Sequence, residues 1–109
     1  MQRWDLRTVE VKAHQPEVLY SEEEGRTILL LLPAGEKLQE HQVHERAWLL
    51  VVDGEIALTD GGEEVTGGPG FLAVFDPKER REVTARSDTR LLLLLAPWPG
   101  DGHPSLHAA

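Results

Sequence analysis

A chain of 109 residues, 40% hydrophobic and 28% charged, has the make-up of one folded domain rather than of a disordered segment. Its net charge of -8, with no clustered lysine or arginine, argues against nucleic acid as a partner, because a phosphate backbone is bound through concentrated positive charge. The absence of cysteine excludes disulfides, thiolate metal sites and cysteine nucleophiles, and with them the usual staple of small secreted domains.

The N-terminal stretch MQRWDLRTVEVK is charged throughout and lacks the apolar segment of a signal peptide, so a cytoplasmic protein is expected. Alternation of apolar and polar residues over 6–12 predicts a half-buried N-terminal strand within 4–12. PEVLYSEEEG reads as a short strand running into an acidic, solvated turn. RTILLLLPAG (26–35) is an apolar strand closed by Pro33 and Gly35. The next segment, EKLQEHQVHERAWLL, has two readings. As a helix it would carry His41 and His44 on one face. Its run into Val51 and Val52, between strand-like neighbours, favours a strand or extended loop.

Asp53-Gly54, between two apolar runs, predicts a hairpin, and TDGGEE predicts a second tight turn. GFLAVFDPKERREVTAR gives a strand, a proline-containing turn and another strand; SDTRLLLLLAP gives a buried closing strand. That leucine run is far too short to span a bilayer, so no membrane association is expected. Residues 97–109, rich in glycine and proline, form an irregular tail. About nine short strands and no strong helix predict an all-β single domain over 1–109, a sandwich or barrel that hides its strand edges.

Two glycine-framed motifs stand out. Gly35 is followed by five residues and His41; Val43 and Ala47 come next, and six residues separate Ala47 from Gly54. Gly70 is followed by five residues and Asp76, then Lys78 and Arg81. This frame resembles the two motifs of the cupin family. In the family, histidines stand at the slots of His41 and Val43, a glutamate at Ala47, a proline at Asp76, a glycine at Lys78 and a histidine at Arg81. The resemblance covers roughly residues 26–96. It implies a jelly-roll barrel (a double-stranded β-helix) and a homodimer formed through barrel faces and exchanged terminal strands. It does not imply the family's metal, since only His41 keeps a ligand.

Alternate residues on a strand face one side, so a His-x-His pair can close on one ion. Here that pair is His41 and Val43, with His44 out of phase unless a bulge intervenes. A rebuilt divalent-metal site would need His41 and His44 with Glu40 or Glu45, or with His103 or His107. The plainer reading has His41 lining a pocket and His44 exposed, with no cofactor. Arg81 would enter the barrel where a ligand histidine usually points. A buried guanidinium needs a partner. That is either an internal carboxylate, Glu45 or Glu82, or the acidic group of a bound molecule. Arg80, next to it, faces the opposite way, so one of this pair should be solvated. Trp48 should face away from Ala47, onto the outer surface of the barrel.

The function expected is therefore binding of a small anionic or carbonyl-bearing ligand in a pocket formed by His41, Val43, Ala47 and Arg81. Two alternatives stay open. One is an enzyme of oxygenase or isomerase type, using a metal held by His41, His44 and Glu45, or using His41 as a metal-free general base. The other is a structural or interaction barrel with a filled core.

Overall fold

Strands with one apolar face need backbone partners at their edges and a second layer on that face. The computed structural model describes residues 1–38, 43–60 and 62–100, and meets both needs with two antiparallel sheets and no helix among those residues. The strands are β1 (Glu17–Glu22), β2 (Gly25–Leu32), β3 (Lys37–Leu38), β4 (Arg46–Asp53), β5 (Ile56–Asp60), β6 (Glu63–Gly67), β7 (Leu72–Phe75), β8 (Glu82–Ala85) and β9 (Thr89–Ala96). One sheet runs β1-β2-β9-β4-β7 and the other β3-β8-β5-β6. The chain adopts the expected all-β jelly-roll architecture. Among the described residues no helix is long and apolar enough to cross a membrane.

The leucine runs build the space between the sheets. In β9, Leu91, Leu93 and Leu95 are buried while Leu92 and Leu94 on the other parity are half-buried. The buried set packs with Leu49 and Val51 of β4, Ile56 and Leu58 of β5 and Val83 of β8. Each such side chain contributes roughly 1.5–3 kcal/mol by leaving water. The register continues this inner face in rows, one of which runs Arg26, Leu95, Ala47, Phe75 across four strands. The opposite parity forms an outer face of Leu94, Trp48 and Val74 beside Leu92, Leu50 and Leu72. Trp48 thus faces away from the fully buried Ala47, as expected.

Two expectations are corrected. No strand forms over 4–12. The Asp5 carboxylate accepts hydrogen bonds from the Arg7 backbone and side chain and folds this stretch into a turn. Arg90 of β9 then donates to the carbonyls of Leu6 and Val9, which holds the segment against the barrel without any ladder. Nor is Asp53-Gly54 a hairpin: β4 pairs with β7 and β9, β5 with β6 and β8, so this turn carries the chain from one sheet to the other. The TDGGEE turn does join a hairpin, β5–β6, with Asp60 opposite Glu63. In the stretch with two readings, the described parts are extended: β3, a loop at 43–45, and β4.

The glycine frame has a backbone cause. Gly35, Gly54 and Gly70 have φ of 83°, 94° and 91°, in the left-handed region that side chains resist. Lys78, in the slot the resemblance gives to a fourth glycine, has φ of 65°. The turn has kept the conformation and lost the residue suited to it. Lys78→Gly is expected to stabilise the protein by about 0.5–1 kcal/mol, read as a higher urea midpoint with unchanged slope. A lower midpoint would mean that the lysine side chain has a stabilising role of its own.

Candidate functional site

The two motifs meet at one end of the barrel. The amide of Lys78 donates to the carbonyl of Val43 at 2.7 Å, which ties the β3–β4 connection to the β7–β8 turn. Val43 is half-buried and packs against the core. Ala47 points inward between Phe75 and Leu95. Arg81, just before β8, is 6% exposed, and its guanidinium carbon lies 4.6 Å from the centroid of the Phe75 ring. Val43, Ala47 and Arg81 are thus gathered at this end, while His41, Glu40, His103 and His107 lie outside the described residues. A groove of about 470 Å³, lined by His44, Arg46, Pro77 and Lys78, opens nearby.

Arg81 is the unusual group. Its Nε and Nη1 are buried and have no hydrogen-bond partner among the described residues. Neither expected carboxylate meets it. Glu45 accepts from the amide of Gly100 at 2.6 Å, and Glu82 from Lys37 Nζ at 2.6 Å. Burial lowers the Arg81 pKa from the usual arginine value, and the charge of Glu79 offsets part of this. Stacking on Phe75 supplies a cation–π attraction but satisfies no N–H. Arg80 is exposed, as expected of the solvated member of the pair.

His44 is half-buried rather than exposed, and the chain after β9 returns to it. A Cβ on Gly100 would stand 2.3 Å from the His44 carbonyl oxygen, so only glycine allows this approach. Glu45, 2% exposed, spends its carboxylate on holding that return. Glu45→Ala would leave the Gly100 amide without its partner and is expected to cost about 2 kcal/mol. Faster hydrogen exchange at the Trp98 and Gly100 amides with an intact barrel would confirm this; unchanged exchange there would refute it.

Metal ligation asks for side chains with lone pairs converging on one point. Val43 and Ala47 offer none, and Arg81 is a cation. These positions do not fit a metal ion. Among the described residues no group of three or more His, Asp or Glu is placed to hold one.

Two residues escape a reading by sequence. Phe75 looks like any other strand residue there, yet it is the platform for Arg81. Arg26 opens the run RTILLLL with the inner parity, opposite Leu95. Its guanidinium carbon lies 4.6 Å from the Trp98 ring centroid, and its Nε is buried without a partner among the described residues. Parity alone does not find it, because both faces of β2 are apolar.

Comparison with known proteins completes the picture. The model of the Cupin_2 family, described as a cupin domain, matches residues 28–97. No curated protein matches the chain. Many solved structures share its fold. An RmlC-like cupin protein from Desulfovibrio desulfuricans is 21% identical over 89% of this chain and 97% of its own, with a TM-score of 0.77. An RmlC-like cupin family protein with a double-stranded β-helix fold, from Methanocaldococcus jannaschii, is 20% identical over 84% and 87%, with a TM-score of 0.73. KdgF from Halomonas sp. is 19% identical over 76% and 79%, with a TM-score of 0.69. Likeness at this level of identity speaks for the fold alone.

Proposed function

This chain belongs to the cupin family, and from that premise we propose that it is a small-molecule-binding cupin that works without a resident metal and takes an anionic ligand on Arg81. The observation that carries the reading is a buried guanidinium with two N–H groups unpaired among the described residues, at the family's ligand position. A buried cation is costly until something with lone pairs and negative charge meets it. A carboxylate does so bidentately. Val43 and Ala47, in place of donors, make the surroundings of that charge apolar, so a carboxylate meeting it would be held in a dry setting. His41 belongs to the same reading as a hydrogen-bonding group.

Thermal shift against a panel of small carboxylates tests this, with Arg81→Ala beside the wild type. The expected result is stabilisation of the wild type alone; equal stabilisation of both proteins ends the reading. Protein purified without chelator or nickel is expected to carry no stoichiometric metal. A stoichiometric metal that is lost on His41→Ala would replace the reading with a metal-dependent one.

The reading includes a homodimer. Leu72 and Val74, 57% and 48% exposed, sit on edge strand β7 in register with half-buried Leu50 and Trp48. With Leu92 and Leu94 they form one continuous apolar face. Such faces are commonly covered by another protein surface. Light scattering is expected to give a dimer for the wild type and a monomer for Val74→Glu. A monomeric wild type would remove the dimer and leave the ligand site untouched.

A further inference from the structure

A cavity that shares no lining residue with the Arg81 site opens at the seam between the two sheets. It encloses about 270 Å³ and is walled by Leu30 and Leu32 of β2, Leu38 of β3 and Pro16. The strand pairing explains it. β1 follows β2 only as far as Glu17 opposite Leu29, so Leu30, Leu31 and Leu32 are paired on the β9 side alone. Among the described residues no backbone hydrogen bond joins 12–16 to them. In an antiparallel strand each residue turns its N–H and C=O to one side, alternately. At least one of these three leucines therefore presents both groups to the open edge. Leu30 and Leu38 stay half-buried although they pack against the core. The outer wall is the turn 12–16. It is tied across the rim by the exposed His14–Glu36 pair at 2.8 Å, with His14 at φ of 63°. A further space of about 470 Å³, beside Glu10 and Glu17, lies against the same turn. A wall with space beside it and so light a tie can shift to admit a ligand.

The chemistry of the slot sets what fits. Its walls are leucine and proline, so the body of an occupant must be hydrocarbon. The charges at its rim largely answer one another: His14 meets Glu36, and Lys37 meets Glu82. Lys12 is exposed, where water and salt screen it. The open edge of β2 offers a neutral donor and acceptor, the pair that one hydroxyl or carbonyl group can use. We propose that this slot is a second binding site, for an uncharged, slender amphiphile with a chain of about eight carbons. Two sizes agree on that length. The volume of about 270 Å³ equals that of roughly nine waters. The three leucines of β2 extend for about 10 Å, close to an extended chain of that size.

This site is independent of the Arg81 reading, and a residue-resolved experiment keeps the two apart. n-Octanol is titrated into isotope-labelled wild type and Arg81→Met, and amide shifts are followed by NMR. Saturable shifts are expected at 12–15, 30–32 and 36–38, alike in both proteins. n-Butanol should bind there at least about tenfold more weakly, a fraction of what the added methylene groups would supply if fully buried. Octanoate and octylammonium should bind there no more tightly than n-octanol. Leu38→Trp, which fills the slot, should lose the binding, with a melting curve to establish that it is folded; Leu30→Trp serves if it is not. Shifts that do not saturate, equal binding of the two alcohols, or undiminished binding in a folded slot-filled variant overturns the site. Shifts confined to 78–83 and lost in Arg81→Met also overturn it, by assigning the alcohol to Arg81. Tighter binding of octanoate at the seam overturns the uncharged head. Failure of the seam site leaves carboxylate binding at Arg81 standing.

Discussion

Gly54→Ala is expected to cost about 3 kcal/mol or more, lowering the melting temperature by roughly 10–20 °C. Two effects combine. The residue has φ of 94°, which alanine adopts only with strain. Its new Cβ would also stand 2.5 Å from both the Asp88 carbonyl oxygen and Thr89 Oγ1. Neither neighbour can retreat. Thr89 is fully buried, its hydroxyl accepts from the Glu55 amide at 3.1 Å, and the Asp88 carboxylate accepts from the Ala34 amide at 2.9 Å. Gly35→Ala separates the two effects. Gly35 has φ of 83°, and a methyl group added there would meet nothing within 4 Å, so it should show the backbone cost alone, about 1 kcal/mol. Equal losses at the two positions would show that the crossing between sheets is looser than its contacts indicate.

Arg81→Met is expected to move stability and binding in opposite directions. Removing a buried charge whose Nε and Nη1 lack partners among the described residues should stabilise the free protein by roughly 1–3 kcal/mol, less the lost stacking on Phe75. The same change should abolish carboxylate binding. The sign of the pH effect follows from the lowered pKa of Arg81. A base whose pKa is lowered by folding destabilises the folded state wherever it is charged, and that cost is relieved only as pH rises through the folded pKa. Arginine stays charged throughout the usable range. The gain should therefore be flat between about pH 5 and pH 9, as urea titrations at several pH values would show. A destabilised variant would mean that a partner for Arg81 already exists in the free protein. A gain confined to one end of the range would point to a titrating neighbour.

The frame is legible in the sequence and the pairing is not. Glycines at 35, 54 and 70 mark positive φ, a purely local demand, so their spacing carries through to the fold. Leucine and valine runs mark the core for the same reason: burial needs only the right residue types in the right parity. Asp53-Gly54 misleads because its chemistry specifies the turn and says nothing of which strands lie beside it. That choice is made by β9 and β7, well further along the chain. The 6–12 alternation misleads because a period of two is necessary for a strand but not sufficient; the segment lacks a ladder partner, and the Asp5 side chain offers a competing turn. At the site, the entry of Arg81 into the barrel follows from the motif spacing. Its lack of a partner among the described residues does not, since that depends on Gly100 and Lys37 claiming Glu45 and Glu82 first.

The place of β9 has a consequence for how the chain is born. It lies between β2 and β4, and it is the last of the nine described strands in sequence. Until residue 96 has left the ribosome, the five-stranded sheet has no middle. Only the β1–β2 and β4–β7 pairs of that sheet can form beforehand, each with a leucine-rich edge unpaired. Folding must then close its longest loops, 26 to 95 among them, in a late and cooperative step. Nascent chains are therefore most exposed to aggregation just before synthesis reaches β9.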